Sequence, residues 1–306
     1  MTTNSNTLPL NRGKGIIAGI LGAAFFGFIP AFSIPALHAG ISPSCILFYR
    51  FGLASVMLAL ILTMQGKSLK LPLHYFPVMT ILAVFYCFSG GLLVLGYRYM
   101  SAGITGVIHF TYPIFVTIIL VSFYREKLKI STIIAILVAI IGIYFLGVVG
   151  GGQSFTPGTN SVAGFLIVLA SGIACASYMV GVNKTRARHL SSLTLTFWLL
   201  LISTAIFGAL SLISGEFIVV TDIELLANLS SLALIATVLS NFLLVYSIKN
   251  IGSTYAAILG AVEPVTAVFI GVLLFNEILN IPIIFGIALI FTAVGIVIMR
   301  NHKKAS

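Results

Sequence analysis

The chain has 306 residues, of which 59% are hydrophobic and only 7% are charged, and its formal net charge is +10. A soluble domain contains about 25% charged residues, so this composition excludes a soluble globular protein and indicates a polytopic membrane protein. The positive charge does not indicate a nucleic-acid partner, because the basic residues lie in short connections between apolar stretches, where they orient the chain in the bilayer. The three cysteines fall within apolar stretches, and we expect no disulfide bonds among them.

Ten apolar stretches follow one another along the chain, and each is long enough for a membrane-spanning helix of about 20 residues. Their predicted bounds are 15–37, 43–64, 75–97, 103–124, 130–149, 161–182, 191–213, 229–248, 254–275 and 281–299. The first stretch lacks a clear cleavage site, so we interpret it as a helix and not as a signal peptide. The predicted fold class is an all-α membrane protein with ten transmembrane helices.

The basic residues of the connections are distributed very unevenly between the two sides of the predicted membrane. With the N-terminus inside, all but two of the 16 Lys and Arg residues lie in inner segments. The exceptions are Arg98, in an outer segment, and Arg50, within a helix. This is a strong positive-inside signal, and it predicts a multi-pass protein of the cell (inner) membrane with both termini in the cytoplasm.

The second half of the chain repeats features of the first half at a near-constant spacing. Tyr112-Pro113 corresponds to Glu263-Pro264, and Arg125-Glu126 corresponds to Asn276-Glu277. The predicted repeats cover residues 15–149 and 161–299. Each repeat contains five helices, and this odd number places the second repeat upside down relative to the first. Inverted repeats are an architecture of secondary transporters, which expose a central site to each side of the membrane in turn.

Several of these residues also carry a family resemblance. The stretch AVEPVTA at 261–267 and the stretch FNEIL at 275–279 resemble the second EamA-type domain of the drug/metabolite transporter superfamily. The first half carries the related Tyr112-Pro113 and Tyr49-Arg50-Phe51. The sequence departs from the family at 281–284, where a Gln is often found. The resemblance implies a ten-helix inner-membrane carrier, often an exporter of amino acids, other metabolites or drugs, and it does not specify the substrate.

Two charged residues within predicted helices are the first candidates for a ligand site. Glu263 lies about midway along the ninth helix, where a carboxylate is costly and is by default a functional-site hypothesis. It could carry a proton or bind a cationic group, or it could fix the packing of a kink at Pro264. Arg50 lies about two turns into the second helix. Its guanidinium suits a carboxylate or phosphate, but it could also reach towards the interface or form a fixed structural contact.

The remaining candidates are polar and aromatic residues at depth within predicted helices. His109 could carry protons or form a hydrogen bond between helices. Tyr112 occupies the place of Glu263 in the first repeat, and it could offer its hydroxyl group to a ligand or simply pack. For the other candidates, a position in a cavity wall competes with a position in the interfacial aromatic belt. These are Tyr86, Tyr178, Trp198, Asn241 and Tyr246.

The sequence lacks a GxxxxGK[ST] phosphate-binding motif, an HExxH motif and a Cys/His cluster with metal-ligand spacing, so we expect no nucleotide or metal cofactor. We predict a secondary transporter of a small polar metabolite, amino-acid-like, that exports by alternating access as a monomer or homodimer in the lipid bilayer. Protons are the candidate coupling ion. The alternative within transport is a multidrug or lipophilic-cation exporter in which Arg50 is structural. Alternatives of other classes are an intramembrane enzyme that uses His109 and Glu263, or a non-transporting membrane scaffold.

Overall fold

The computed structural model describes residues 11–99, 102–127, 130–145, 149, 161–275 and 280–302. All regular elements in these ranges are helical. In chain order the α-helices are α1 Arg12–Phe26, α2 Ile29–His38, α3 Pro43–Met64, α4 Phe76–Gly96, α5 Ala102–His109, α6 Tyr112–Tyr124, α7 Ile130–Tyr144, α8 Ser161–Lys184, α9 Ser192–Ile213, α10 Ile223–Ala233, α11 Ser240–Ile251, α12 Ser253–Leu259, α13 Val262–Phe275 and α14 Ile281–His302. A π-helical stretch, Leu234–Leu239, connects α10 to α11.

Seven helical segments among the described residues are long and apolar enough to cross a membrane. They are Arg12–His38, Pro43–Met64, Leu73–Gly96, Val162–Lys184, Ser192–Ile213, Ile223–Ile251 and Ser253–Ile270. Three shorter apolar helices accompany them, at Tyr112–Tyr124, Ile130–Tyr144 and Ile281–Ile296. Large apolar side chains point outwards, as shown by Leu60 and Phe88, which are each 58% exposed. In water such exposure would be costly, so these surfaces face lipid.

Three of the helices that the sequence predicts as continuous are interrupted. The first breaks between Phe26 and Ile29, and those predicted over 103–124 and 254–275 are each two shorter helices. A proline lies in the first turn of each second part, at Pro30, Pro113 and Pro264. Proline has no backbone N–H and is favoured in a first turn, where that group would lack a partner within the helix. The prolines therefore start new helices within the stretches that the sequence predicts as continuous.

The eighth predicted helix begins earlier than the sequence suggested. Its predicted range of 229–248 becomes Ile223–Ile251 in the structure. The Asp222 side chain accepts a hydrogen bond of 2.8 Å from the Glu224 N–H and so caps the first turn of α10. The segment predicted as a polar connection therefore contributes a helical turn.

Helices from the first half of the chain pack mainly against helices from the second half. The main pairs are α3 with α9, α7 with α14, α4 with α8, and α1 with α11. Glycine permits a close approach between α7 and α14, because a Cβ atom at Gly142 would lie 2.9 Å from the Gly286 carbonyl oxygen. Small residues of this kind let helix backbones pack closely. Within a bilayer the hydrophobic effect does not drive helices together, so this close packing stabilises the pair.

Candidate functional site

A cavity lies at the centre of the bundle, where the interrupted helices meet α3, α4 and α8. The polar groups in its wall belong to Arg50, Tyr86, Ser89, His109, Tyr112, Tyr178 and Glu263, and they are surrounded by apolar side chains. The cavity volume is about 60 Å³, whereas ligand pockets usually measure about 300–1,000 Å³. In this conformation the cavity admits only a very small molecule, and a larger ligand requires the helices to separate.

The break between α12 and α13 places Glu263 in the cavity wall. The two helices are separated by Gly260 and Ala261, and the Glu263 N–H donates a 2.9 Å hydrogen bond to the Gly260 carbonyl oxygen. Glu263 therefore lies in the first turn of α13, at the end of the helix where the helix dipole favours negative charge. The break in the first membrane span packs directly against this turn, since a Cβ atom at Gly27 would lie 2.5 Å from the Glu263 carbonyl oxygen.

Arg50 lies on α3 and contacts the π-helical stretch. It is 3% exposed, its Nε donates to Thr237 Oγ1 at 2.7 Å, and its Nη2 donates to the Ala236 carbonyl oxygen at 3.0 Å. The guanidinium carbon lies 5.4 Å from the centre of the Phe51 ring. An arginine has five N–H donors, and the hydrogen bonds described for Arg50 do not involve Nη1. Arg50 thus links α3 to the π-helical stretch, and its Nη1 group can donate hydrogen bonds to a ligand in the cavity.

Arg50 and Glu263 line one cavity without forming an ion pair with each other. The ion pair found among the described residues joins Lys184, at the C-terminal end of α8, to Glu126. Arg50 is held by its hydrogen bonds to the π-helical stretch, and it interacts electrostatically with Glu263 without a direct ion pair. A buried charge without a directly bonded counter-charge is costly. The arrangement can therefore bind a carboxylate on one side and a cationic group, or a proton, on the other.

His109, at the end of α5, and Tyr112, at the start of α6, connect these two helices to their neighbours. His109 Nδ1 lies 2.5 Å from the Ser171 hydroxyl oxygen on α8, and the His109 side chain is buried. The Tyr112 hydroxyl group lies against Gly260, because a Cβ atom there would be 1.7 Å from that oxygen. Both side chains line the cavity while they make these contacts.

Aromatic rings form one side of the cavity. The Tyr86 ring centre lies 5.3 Å from that of Phe51 and 5.2 Å from that of Tyr178. Tyr178 is 1% exposed, and its hydroxyl group has no hydrogen-bond partner among the described residues. A buried hydroxyl without a partner is costly. The Tyr178 hydroxyl is therefore available to a ligand.

Three predicted site residues do not belong to the described cavity wall. Asn241 is fully buried, within interaction distance of Tyr86, and its Nδ2 donates to the Thr237 carbonyl oxygen at 2.9 Å. Trp198 Nε1 donates to the Leu69 carbonyl oxygen at 3.0 Å, in the connection between α3 and α4. The Tyr246 ring packs against Phe242, with the ring centres 6.4 Å apart.

Two partners of the cavity residues were missed by sequence reasoning. Thr237 binds Arg50, but its position depends on the register of the π-helical stretch, for which the sequence offers no signal. Ser171 pairs with His109 and precedes Gly172, where a Cβ atom would lie 3.0 Å from the His109 carbonyl oxygen. The Ser-Gly pair within an apolar helix is the signal that could have indicated this close contact.

A family model described as the EamA-like transporter family matches residues 13–148 and, a second time, residues 162–299. The chain belongs to the EamA-like transporter family. A solved crystal structure shares the fold, with a TM-score of 0.80 at 15% identity, and the match covers 96% of this chain and 100% of that chain.

Relatives of this EamA-like chain are named as transporters. An uncharacterized transporter of Archaeoglobus fulgidus is 23% identical over 274 residues, which cover 85% of this chain and 90% of that protein. The uncharacterized transporter YetK of Bacillus subtilis is 25% identical over 267 residues, covering 83% and 78%. A third, from Synechocystis, is 28% identical over 223 residues, covering 70% and 63%. The family and the membrane-spanning helices establish a multi-pass membrane transporter, with a small-molecule substrate and a lipid environment.

Proposed function

We propose that this EamA-like transporter exports a small zwitterionic metabolite of the amino-acid class across the cell membrane by alternating access. The observation that carries the proposal is that Arg50 and Glu263 line one central cavity and are not paired with each other. A zwitterion presents a carboxylate to the guanidinium and an ammonium group to the carboxylate. It neutralises both charges in a place where each would otherwise be costly.

The neutral part of the ligand lies against the aromatic side of the cavity. Tyr86 and Tyr178 supply apolar ring surface, and the unpartnered Tyr178 hydroxyl group supplies one hydrogen bond. The small free volume favours a compact ligand over a large drug-like molecule.

The architecture in this proposal has ten helices in two inverted repeats, at 15–149 and 161–299, with both termini in the cytoplasm. Its first support is the double match to the family model at nearly the same ranges. Its second support is the packing of the helices. In the proposed repeats α1 corresponds to α8 and α4 corresponds to α11, and the α1–α11 and α8–α4 pairs are both main contacts. The clustering of basic residues in inner connections supports the orientation. Export and proton exchange complete the proposal, with Glu263 as the group that carries the proton in alternation with the ligand.

A ligand screen on the detergent-purified protein tests this function. A compound that binds only the folded protein raises its stability, by about 2.7 kcal/mol when it is present at 100 times its dissociation constant. The panel contains amino acids, organic acids, sugar phosphates and lipophilic cations. We expect amino acids to raise the melting temperature of the wild type and to have no effect on Arg50→Ala.

A matched control separates the ligand role of Arg50 from its structural role. Thr237→Val removes a hydrogen-bond partner of Arg50 but keeps the guanidinium, so it should destabilise the protein and still respond to amino acids. If only lipophilic cations stabilise the protein, and they do so in both variants, the multidrug-exporter alternative replaces this proposal. A ligand that is recovered chemically altered would instead support the enzyme alternative. If no compound of the panel stabilises the protein, the scaffold alternative gains support.

A further inference from the structure

A second and larger cavity opens on the surface of the bundle between α3, α4 and α9, with a volume of about 500 Å³. This groove lies on the opposite side of α4 from the central cavity. Gly90 lines the central cavity, whereas the next residue, Gly91, lines the groove. The rings of Phe51 and Phe207, whose centres are 5.8 Å apart, lie between the two spaces.

The wall of the groove is almost entirely apolar along its length. Its large apolar side chains include Leu47, Val84, Phe88, Leu92, Leu95 and Leu210. Phe88 and Leu210 are 58% and 49% exposed, so the groove opens sideways, onto a surface that the membrane-spanning helices present to lipid. An open apolar groove at this depth is filled by hydrocarbon, because water there would have almost no hydrogen-bond partners.

The mouth of the groove carries two opposite charges at one end of the bundle. Arg98 follows the end of α4 and Glu216 follows the end of α9, and both line the groove and are exposed. The Ser44 hydroxyl group donates to Glu216 Oε2 at 2.9 Å and holds that carboxylate in place. Arg98 and Glu216 form no ion pair with each other among the contacts described for the chain. The mouth therefore offers separate positions for an anionic and a cationic group.

We propose that this groove is a binding site for a phospholipid with an ethanolamine head group. An acyl chain fills the space between α3, α4 and α9, Arg98 binds the phosphate, and Glu216 accepts hydrogen bonds from the ammonium group. A glycerol head group carries hydroxyl groups but no cation, so it can offer Glu216 only neutral hydrogen-bond donors, which are weaker than an ammonium group. Under the orientation proposed above the lipid belongs to the outer leaflet, but the binding site itself does not depend on that orientation or on the transported substrate.

Competition between two lipids tests the head-group preference. The full-length protein is purified in mild detergent with equal amounts of dioleoyl phosphatidylethanolamine and dioleoyl phosphatidylglycerol, and native mass spectrometry measures which lipid remains bound. We expect about a tenfold preference for phosphatidylethanolamine, the effect of one hydrogen bond to a charged group. Glu216→Gln should abolish this preference, and Arg98→Gln should weaken the retention of both lipids.

Two matched pairs of variants locate the site. Glu224→Gln removes another exposed carboxylate, in the first turn of α10, and should keep the preference. Val84→Trp fills the groove and should release the lipid, whereas Val56→Trp lies on an exposed face of α3 outside the groove and should retain it. Melting temperatures show that the compared variants are folded. The proposal is overturned if the wild type holds both lipids equally, or if Val84→Trp retains phosphatidylethanolamine as well as Val56→Trp does.

Discussion

Arg50 illustrates how a single side chain can serve the fold and the ligand site together. Its hydrogen bonds to Thr237 and to the Ala236 carbonyl oxygen anchor α3 to the π-helical stretch. π-Helical turns occur mostly as local insertions, frequently at functional sites. The same guanidinium lines the cavity, so loss of transport in an Arg50 variant would not by itself distinguish the two roles.

The structural role predicts a loss of stability in Arg50→Ala. Truncation leaves the Thr237 hydroxyl group and the Ala236 carbonyl oxygen without their charged partner, which should lower the free energy of unfolding by about 3 kcal/mol. Thr237→Val removes one of the two Arg50 hydrogen bonds and also the bond from the Thr237 hydroxyl group to the Leu232 carbonyl oxygen, so it should cost about 2 kcal/mol. Both values can be measured by denaturant titration in detergent. Equal stability of Arg50→Ala and the wild type would contradict this role.

The proposed role of Glu263 in proton exchange predicts a change in the pH dependence of transport. Glu263→Gln keeps the shape of the side chain but cannot release or take up a proton. In proteoliposomes, export by this variant should no longer respond to an imposed pH gradient, while exchange of labelled for unlabelled ligand continues. Glu224→Gln, an exposed carboxylate outside the cavity, should behave like the wild type. An unchanged response to the gradient in Glu263→Gln would remove this residue from proton coupling.

At the scale of the elements, the breaks at α1–α2, α5–α6 and α12–α13 determine where the site lies. At each break the backbone hydrogen bonds shift to carbonyl groups three residues earlier, as from the Thr111 N–H to the Ile108 carbonyl oxygen, and residues at all three breaks line the central cavity. The Tyr112 hydroxyl group lies against Gly260 and so joins α6 to the break between α12 and α13. A side chain at position 260 would therefore push the two broken spans apart.

This contact predicts that Gly260→Ala is strongly destabilising and that Tyr112→Phe partly rescues it. The added methyl group would overlap the Tyr112 hydroxyl oxygen, and removal of that oxygen makes room. Gly106→Ala is the matched control, since no atom lies within 4 Å of its Cβ position, and it should be neutral or slightly stabilising. Melting temperatures of the two single variants and of the double variant Gly260→Ala/Tyr112→Phe give the coupling between the sites. Additive effects would show that the hydroxyl group is not the obstacle.

Sequence patterns predict the helical elements far better than their interruptions. Composition and periodicity are sufficient for the apolar spans, because burial in lipid depends on the average character of about 20 residues. Pro113 and Pro264 were visible in the sequence, but whether a proline kinks a helix or separates two helices depends on tertiary neighbours such as Gly27. The π-helical stretch lacks a compositional signal, and its hydrogen bonds with Arg50 join residues that are more than 180 positions apart in the sequence.

The site was predicted in part for the same physical reason. Arg50, Tyr86, His109, Tyr112 and Glu263 are costly or polar at depth, and the structure places all five around one cavity. Trp198 and Tyr246 share this character but interact elsewhere, and Asn241 lies behind the wall residue Tyr86, since the sequence does not show which face of a helix points inwards. Their contact with a ligand stays a prediction.

At the scale of the whole molecule, the proposed inverted architecture predicts which connections are accessible from each side of the membrane. In a variant without Cys45, Cys87 and Cys175, a single cysteine at Thr221 should react with a membrane-impermeant maleimide added to intact cells. A cysteine at Ser68 should react only after the membrane is opened, because it lies in an inner connection. Both positions are exposed, so a difference in labelling reflects the side of the membrane and not the burial of the residue. The reverse pattern would invert the proposed orientation, and equal labelling of both positions would contradict the helix count.

The helix α4 has one face in the central cavity and the other in the lateral groove, and it is packed against α8. A movement of α4 that enlarges one space must change the other. Occupants of the two spaces are then thermodynamically linked, and the factor by which the lipid alters the affinity for the transported ligand equals the factor by which that ligand alters the affinity for the lipid. With the lipid in the groove and the ligand in the cavity as proposed, the composition of the bilayer becomes an allosteric effector of the transporter.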